Sequence, residues 1–407
     1  MLDGDIPYLS AHEASEDLLA RLQTTSTKMP IGSILVRLLL QIKRHREGLT
    51  LRPVGTYITP EITEKVSGSF LKAASSGSSQ LLSSYARGDW DTSDLYQLLS
   101  SLWRLEQLTR KFRLAIWPFD AVRYRMPRKR EADHAQIPLH YDLPMSIFEA
   151  FLDPGLAYSA TQIRDQAESY RPAYKDSYDR IIRSLVGDRE EALIADLGCG
   201  WGAFTRHVLQ DTGHSVYAIT ISRTQAAYAR QHLSEYLSQR LTVIEGDFTR
   251  SACLPARADA IVMIETIEHL DPRARAALFR MIGQKYPDAR LFLQFTATPN
   301  WTALQKSARP TAGNSIIFPG PTELPTIREI LRLAGNVGYR VINLDELTSE
   351  YSSITLAWKS RFGSQMEQLS KSHPTALLRA WEFYLTGLTT ALGQRALLSY
   401  QVTLARS

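Results

Sequence analysis

The residues best suited to chemistry lie in one short run, Ala195-Asp196-Leu197-Gly198-Cys199-Gly200-Trp201-Gly202. Glycines at alternate positions let the chain turn sharply and let its backbone approach a ligand closely. The spacing is G-x-G-x-G, whereas dinucleotide sites use G-x-G-x-x-G with an acidic residue about 20 positions on. Here the next apolar segment ends in Thr220-Ile221-Ser222 and carries no carboxylate. The acidic residue instead precedes the glycines. Asp196 therefore suits a cationic group, such as an amino acid ammonium, better than a pyrophosphate. The plain alternative is a structural glycine turn with no ligand.

Such a turn needs a strand before it and a helix after it. Residues 193–196 form a short apolar run, and 215–220 (SVYAIT), 241–245 (LTVIE), 260–264 (AIVMI) and 290–295 (RLFLQF) read as further strands. Residues 223–237 read as a helix, and another starts at Asp271-Pro272, a cap followed by proline. Strands alternating with helices imply a parallel sheet covered on both faces. The close differs: a strand over 339–344, a helical block to about 392, and a final strand at 400–405 that, returning beside its predecessor, would give the sheet an antiparallel edge. Upstream, 94–112 carries leucines at helical spacing, with Thr92 or Ser93 as its expected cap.

With 407 residues, 44% hydrophobic and 22% charged, the chain reads as two or three globular domains. Two cysteines cannot form a disulfide framework, which points to the cytoplasm. The apolar stretch 31–42 is too short to span a bilayer and contains Arg37. The net charge of +5 is mild, and basic residues gather at 43–46 and 123–130. A buried helix end and a solvated linker explain these runs; contact with anionic lipid is the sharper reading. No nucleic-acid motif accompanies them.

Further motifs occur in order around the glycine turn: His140-Tyr141-Asp142-Leu143, Phe151-Leu152-Asp153-Pro154 and Tyr158-Ser159 before it. After it come Ile219-Thr220-Ile221-Ser222 with Gln225, Gly246-Asp247-Phe248, Glu268-His269, Ile317-Phe318-Pro319-Gly320, Tyr351, and Ala357-Trp358 with Arg361-Phe362. From about 139 to 365 the chain resembles the cyclopropane fatty acid synthases and the related mycolic acid methyltransferases. Arg87-Gly88-Asp89-Trp90 resembles, more weakly, a segment in the N-terminal domain of the longer synthases. The resemblance implies an α/β, Rossmann-like class I methyltransferase: a mostly parallel seven-stranded sheet with an antiparallel edge strand, plus a smaller helix-rich N-terminal domain. The expected division is an N-terminal domain at 1–120, a basic linker at 121–138 and a catalytic domain at 139–407. Helices near 300–330 and 352–392 would cover the substrate.

The resemblance also implies roles. The cofactor would be S-adenosyl-L-methionine, with Tyr158 and Ser159 on its methionine part and Asp196, Gly198, Gly200, Trp201 and Gly202 beneath it. Thr220, Ser222 and Gln225 would replace the usual acidic ribose ligand, and Asp247 and Phe248 would hold adenine. Phe248 as core and Ser222 as a helix cap stay open beside these roles. Family members methylate an unactivated alkene in an acyl chain, with a bound bicarbonate as base. Its cradle is a Cys after the Tyr-Ser pair, the Glu of Glu-His, a strand His and a late Tyr. Glu268 and Tyr351 match that pattern. Ala160 stands at the Cys position, and Phe295 or Gln294, depending on register, at the His position. Alanine and phenylalanine cannot bind bicarbonate, so the expected base is Glu268 or Glu265, both at the end of the fourth strand. Glu265 stands where the family commonly has a small residue, and a second cofactor contact or a solvated rim is its bland reading. His269 is read as a site residue or as part of the helix start. No metal is implied.

The expected activity is therefore C-methylation of an unsaturated fatty acyl lipid or similar lipophilic alkene. The alternatives are a methyltransferase for a specialised lipophilic metabolite and a non-catalytic lipid- or cofactor-binding homologue. Peripheral contact with the inner membrane surface and a homodimer complete the expectations.

Overall fold

The computed structural model describes residues 62–66, 68–76, 78–104, 143–162, 170–299 and 323–406. The 31–42 stretch, the basic runs, the 317–320 motif and most of the first expected covering segment lie outside the described residues.

The first described elements are β1 (Ile62–Glu64), α1 (Ser69–Ser76), α2 (Ser78–Ala86) and β2 (Trp90–Thr92), with β1 and β2 antiparallel. The next helix, α3, covers 95–104. Its cap is Asp94 rather than Thr92 or Ser93: the Asp94 carboxylate accepts from the Gln97 N–H at 2.9 Å. Aspartate at this position satisfies one of the orphan first-turn donors and meets the helix dipole favourably. A short helix α4 (Met145–Glu149) and a long one, α5 (Tyr170–Val186), lead into the sheet.

The sheet is built from β3 (Leu193–Leu197), α6 (Ala203–Asp211), β4 (Ser215–Thr220), α7 (Arg223–His232), β5 (Leu241–Glu245), β6 (Ala260–Ile264), α8 (Pro272–Lys285) and β7 (Arg290–Ala297). It continues with α9 (Ile327–Gly335), β8 (Tyr339–Glu346), α10 (Thr348–Leu369), α11 (Thr375–Gly393) and β9 (Leu398–Arg406). The strand order is β5-β4-β3-β6-β7-β9-β8. Strands β3 to β7 run parallel, and β9 lies antiparallel between β7 and β8. The antiparallel strand is thus one place in from the edge. Its residues are buried almost throughout, whereas β8 exposes Val341, Ile342 and Leu344, and the more exposed strand takes the rim.

Period-two alternation divides the strands between two cores. Ile194, Val216, Ala218, Ala260 and Val262 pack with α5, α6 and α7, while Leu197, Ile219, Ile261, Met263 and Leu293 pack with α8 and α9. Helix α8 begins as its sequence implies: Asp271 accepts from the N–H groups of Arg273 and Ala274, both at 2.8 Å.

A third, aromatic core joins α1 to α4 with α10 and α11, burying Phe148, Phe151, Trp358, Phe362 and Trp381. Arg379 on α11 ties this assembly together. It donates to the Tyr85 and Trp90 carbonyls, pairs with Asp91 at 3.1 Å and lies 3.9 Å over the Tyr85 ring. The same core includes Ala160 and Trp201, so it reaches the glycine turn.

Candidate active site

The glycine turn follows β3 at the centre of the sheet, where parallel α/β sheets place ligands. Gly198, Gly200 and Gly202 have φ of 88°, 55° and 80°, in the left-handed region that favours glycine. A Cβ on Gly198 would lie 2.5 Å from Thr266 Cγ2, so this position requires glycine for space as well as for conformation. Beside Gly200 there is nothing within 4 Å. The turn borders an open cup.

Asp196 is buried in that cup, and its Oδ2 accepts from Thr205 Oγ1 at 2.7 Å. Burial pushes its pKa up to about 6, and the hydrogen bond from Thr205 opposes this only in part. Across the cup, the Thr220 hydroxyl donates to Gln225 Oε1 at 2.7 Å. Asp247 and Phe248 follow β5; Asp247 Oδ1 accepts from the backbone and hydroxyl of Thr249 at 2.8 and 2.7 Å. Phe248 both lines the cup and packs against the core under α8. Tyr158 lines the opposite side, its ring centroid 5.3 Å from that of Trp358. The buried indole N–H of Trp201, also on the wall, meets no acceptor among the described residues.

Beside the cup lies a cluster of carboxyl groups. Glu265 ends β6 with φ 49°, and its N–H donates to the Gln294 carbonyl at 2.8 Å. Its carboxylate accepts from Gln294 Nε2 at 3.2 Å and from Thr296 Oγ1 at 3.0 Å. Glu268 sits on a tight 3-10 turn, Ile267–His269, where its Oε1 accepts from the Thr296 N–H at 3.1 Å. Its Oε2 is buried without a donor among the described residues. Burial, followed by the neighbouring Glu265, raises the Glu268 pKa well above the usual carboxylate range. Like charges this close oppose ionisation of both, so burial and the neighbouring Glu265 favour the protonated form of Glu268. Tyr351 and Tyr384 lie within electrostatic reach of the pair, and burial keeps both phenols protonated. His269 is held neutral, its pKa pushed down to about 4 by burial.

These features coincide with a known family. The model of the mycolic acid cyclopropane synthetase family matches residues 128–402, well over half the chain. The chain belongs to that family. Among relatives of this synthetase-family chain, a probable fatty acid methyltransferase of Pseudomonas putida is 27% identical over 66% of the chain and 68% of its own length. The tuberculostearic acid methyltransferase of Mycobacterium tuberculosis is 26% identical over 79% of this chain and 78% of its own. The solved cyclopropane synthase MmaA2 from Mycobacterium tuberculosis shares the fold, with a TM-score of 0.61 at 22% identity, covering 67% of this chain and 98% of that one. The synthetase-family chain is an enzyme of the S-adenosylmethionine-dependent methyltransferase class, on a Rossmann-like fold.

Of the residues singled out by sequence, Tyr158, Ser159, Asp196, Gly198, Gly200, Trp201, Thr220, Gln225, Asp247, Phe248, Glu265 and His269 line the cup together. Gly202 stands behind them at the start of α6, and Ser222 caps α7, accepting from the Gln225 N–H at 3.2 Å. Glu268 and Tyr351 lie behind the wall, Glu268 against the strand ends and Tyr351 in the aromatic core. Of the two candidate registers on β7, Gln294 faces the carboxyl cluster, while Phe295 packs on the opposite face with Leu293. Sequence reasoning missed Thr296 and Gln401, whose Nε2 donates to Gln294 Oε1 at 2.7 Å. The available signal was polarity: Gln294, Thr296 and Gln401 are each set between apolar neighbours in their strands.

Proposed function

We propose that this enzyme transfers the methyl group of S-adenosylmethionine to a carbon–carbon double bond of an unsaturated fatty acyl lipid or similar lipophilic alkene. The observation that carries this reading is a cup floored by a buried aspartate and set beside a pair of carboxyl groups and an aromatic core.

The residues present fit the cofactor. Asp196, with one hydroxyl partner and a pKa raised by burial, gains most from an ammonium group beside it. The open space at Gly200 admits a close backbone approach, and the Trp201 N–H offers an unused donor. Tyr158 and Ser159 would hold the methionine part, Thr220 and Gln225 the ribose, and Asp247 and Phe248 the adenine. When bound, the sulfonium supplies an electrophilic methyl group and leaves as a thioether.

The remaining work falls to the chain. An alkene is a weak nucleophile, so it must be held in near-attack geometry with water excluded. The aromatic core around Phe148, Phe151, Tyr158 and Trp358 supplies a dry wall. Attack leaves a carbocation on the chain, and a base must take a proton if a neutral product is to form. Loss from the new methyl closes a cyclopropane; loss elsewhere gives a methyl-branched alkene. The Glu265–Glu268 pair is the base beside the cup, and Ala160 contributes only its carbonyl there, accepting from Gln294 Nε2 at 2.8 Å. That alanine also favours a second reading, a specialised lipophilic metabolite whose own nucleophile needs no base.

Contact with an anionic membrane surface at the cytoplasmic side, a homodimer, and division into an N-terminal domain, a basic linker and a catalytic domain belong to the same proposal. Among the described residues no helix is long and apolar enough to cross a membrane, so access to lipid would be from the surface. The test is incubation with methyl-labelled cofactor and either phospholipid vesicles or a metabolite extract. Label in an unsaturated acyl fraction supports the reading; label only in a lipophilic metabolite that is not an acyl lipid favours the second; cofactor binding without transfer to either would sink both.

A further inference from the structure

The residue at the end of β6 occupies a conformation that its own side chain makes unfavourable. Glu265 has φ 49°, a region glycine enters freely and a glutamate enters at the expense of strain. Such strain persists only where surrounding contacts over-determine it. Here they do. The Glu265 N–H is fixed to the Gln294 carbonyl, and both carboxylate oxygens are held from β7, by Gln294 Nε2 and Thr296 Oγ1. Gln294 is itself oriented on two further sides: its Oε1 accepts from Gln401 Nε2 at 2.7 Å and its Nε2 also donates to the Ala160 carbonyl at 2.8 Å. Three separate chain segments therefore aim one strained carboxylate at the wall of the cup.

The two glutamates of the pair are not equivalent. Glu265 lines the cup, whereas Glu268 is buried behind it with an oxygen that lacks a donor. Burial holds the proton of the pair on Glu268, while both Glu265 oxygens already accept hydrogen bonds, from Gln294 Nε2 and Thr296 Oγ1, which leaves Glu265 as the acceptor beside the reacting space. We infer that Glu265 is the base of the reaction, a carboxylate tethered in the site that takes the proton released after methyl transfer. This rests on the methyl-transfer reading.

The step balances without any further reactant. Methyl transfer forms a carbon–carbon bond to the alkene and breaks the carbon–sulfur bond, whose electron pair stays on sulfur. A C–H bond of the resulting cation then breaks. Its electron pair forms the third ring bond, or a double bond when the hydrogen comes from a neighbouring chain carbon, and its proton goes to the Glu265 carboxylate. The proton leaves to buffer between turnovers. Glu268 holds the second proton in place and, with Gln294, acts as a positioning residue.

The strain supplies a clean variant. Glu265→Gly removes the carboxylate and relaxes the backbone, so it should melt no earlier than the parent and bind cofactor as well. Its methyl transfer should fall by roughly 100-fold or more, as expected when a positioned general base is deleted. Formate, which fits the space left by the side chain, should restore a substantial part of the activity. Glu265→Gln, which keeps the bulk, should be equally impaired and unresponsive to formate. A Glu265→Gly enzyme that keeps the parent rate, or one whose lost activity formate does not restore, overturns the assignment. So does a parent enzyme whose turnover collapses in bicarbonate-depleted buffer, because its base would then come from solution. Failure of the parent to label any alkene would instead remove the methyl-transfer reading itself.

Discussion

The cup and the carboxyl cluster adjoin each other along one sheet, yet they are built in opposite ways. The cup is made chiefly by backbone: three glycines with positive φ, a buried aspartate just before them, and the ends of β3, β4 and β5. The cluster is made by side chains: two glutamates just past β6, with two glutamines and a threonine on β7 and β9. In the cup a non-glycine residue would be strained; in the cluster a non-glycine residue is strained. A binding surface shaped by backbone tolerates few substitutions but needs few special side chains. A proton-handling site needs particular functional groups and keeps them through networks that hold them in place.

Substitutions can break that contrast. The largest effect should come from Gly198→Ala, whose Cβ would fall 2.5 Å from Thr266 Cγ2 at a φ of 88°. Steric overpacking and backbone strain together should cost about 2–5 kcal/mol of stability. Cofactor binding should be lost, which denaturation and calorimetry would show; parent-like binding would mean the turn does not shape the cup.

Gln294→Leu acts on the other region. It leaves the Ala160 carbonyl and Gln401 Nε2 without their partner and frees the Glu265 carboxylate on one side. We expect about 1–3 kcal/mol of destabilisation, and a kcat roughly tenfold lower with cofactor affinity unchanged. A change in cofactor KM alone would place Gln294 with the cup instead.

Glu268→Gln is a sharper and smaller test. A glutamine amide presents an N–H where the protonated acid presents its O–H, so turnover should stay within about tenfold of the parent. A loss as deep as that of Glu265→Gln would make Glu268 the base and reverse the roles within the pair.

The mildest effect concerns pH. The Asp196 pKa, about 6 when folded, lies above its ordinary value of 3.8. The folded state therefore binds more protons between these values, and this group's contribution to the stability of the free protein falls as pH rises through that window. A cationic ligand reverses the preference. Affinity for the cofactor should strengthen from pH 5 towards 7 by no more than about tenfold per unit and then level off. Titration calorimetry across that range would show it, and pH-independent binding would remove Asp196 from contact with a cation.

How much could be read beforehand follows the same division. The five parallel strands β3 to β7 are legible because buried parallel strands are continuous apolar runs, and the glycine turn because its conformation admits few other residues. The cap at Asp271 is legible for a similar local reason. The return of β9 beside its predecessor β8 is legible, but its place off the edge is not, because the pairing with β7 is long-range and no local pattern encodes it. Nor is the choice between Gln294 and Phe295, since a one-residue slip sends a side chain to the other face. That choice is fixed by the pairing of Gln294 with Gln401, more than a hundred residues away. Ser222 shows the converse: its serine is equally suited to a ligand and to a helix cap, and the structure uses it to cap α7.

The central claim is methylation of an alkene carbon followed by proton loss to a carboxylate in the site. It is tested most directly with cofactor carrying a trideuterated methyl group, presented with vesicles of unsaturated phospholipid and followed by mass spectrometry of the acyl chains. The account predicts deuterium on acyl carbon, with one deuteron lost where a ring closes and all three kept where a neighbouring hydrogen leaves. Cofactor that binds yet leaves every acyl chain unlabelled, or label found only on oxygen or nitrogen, would contradict it.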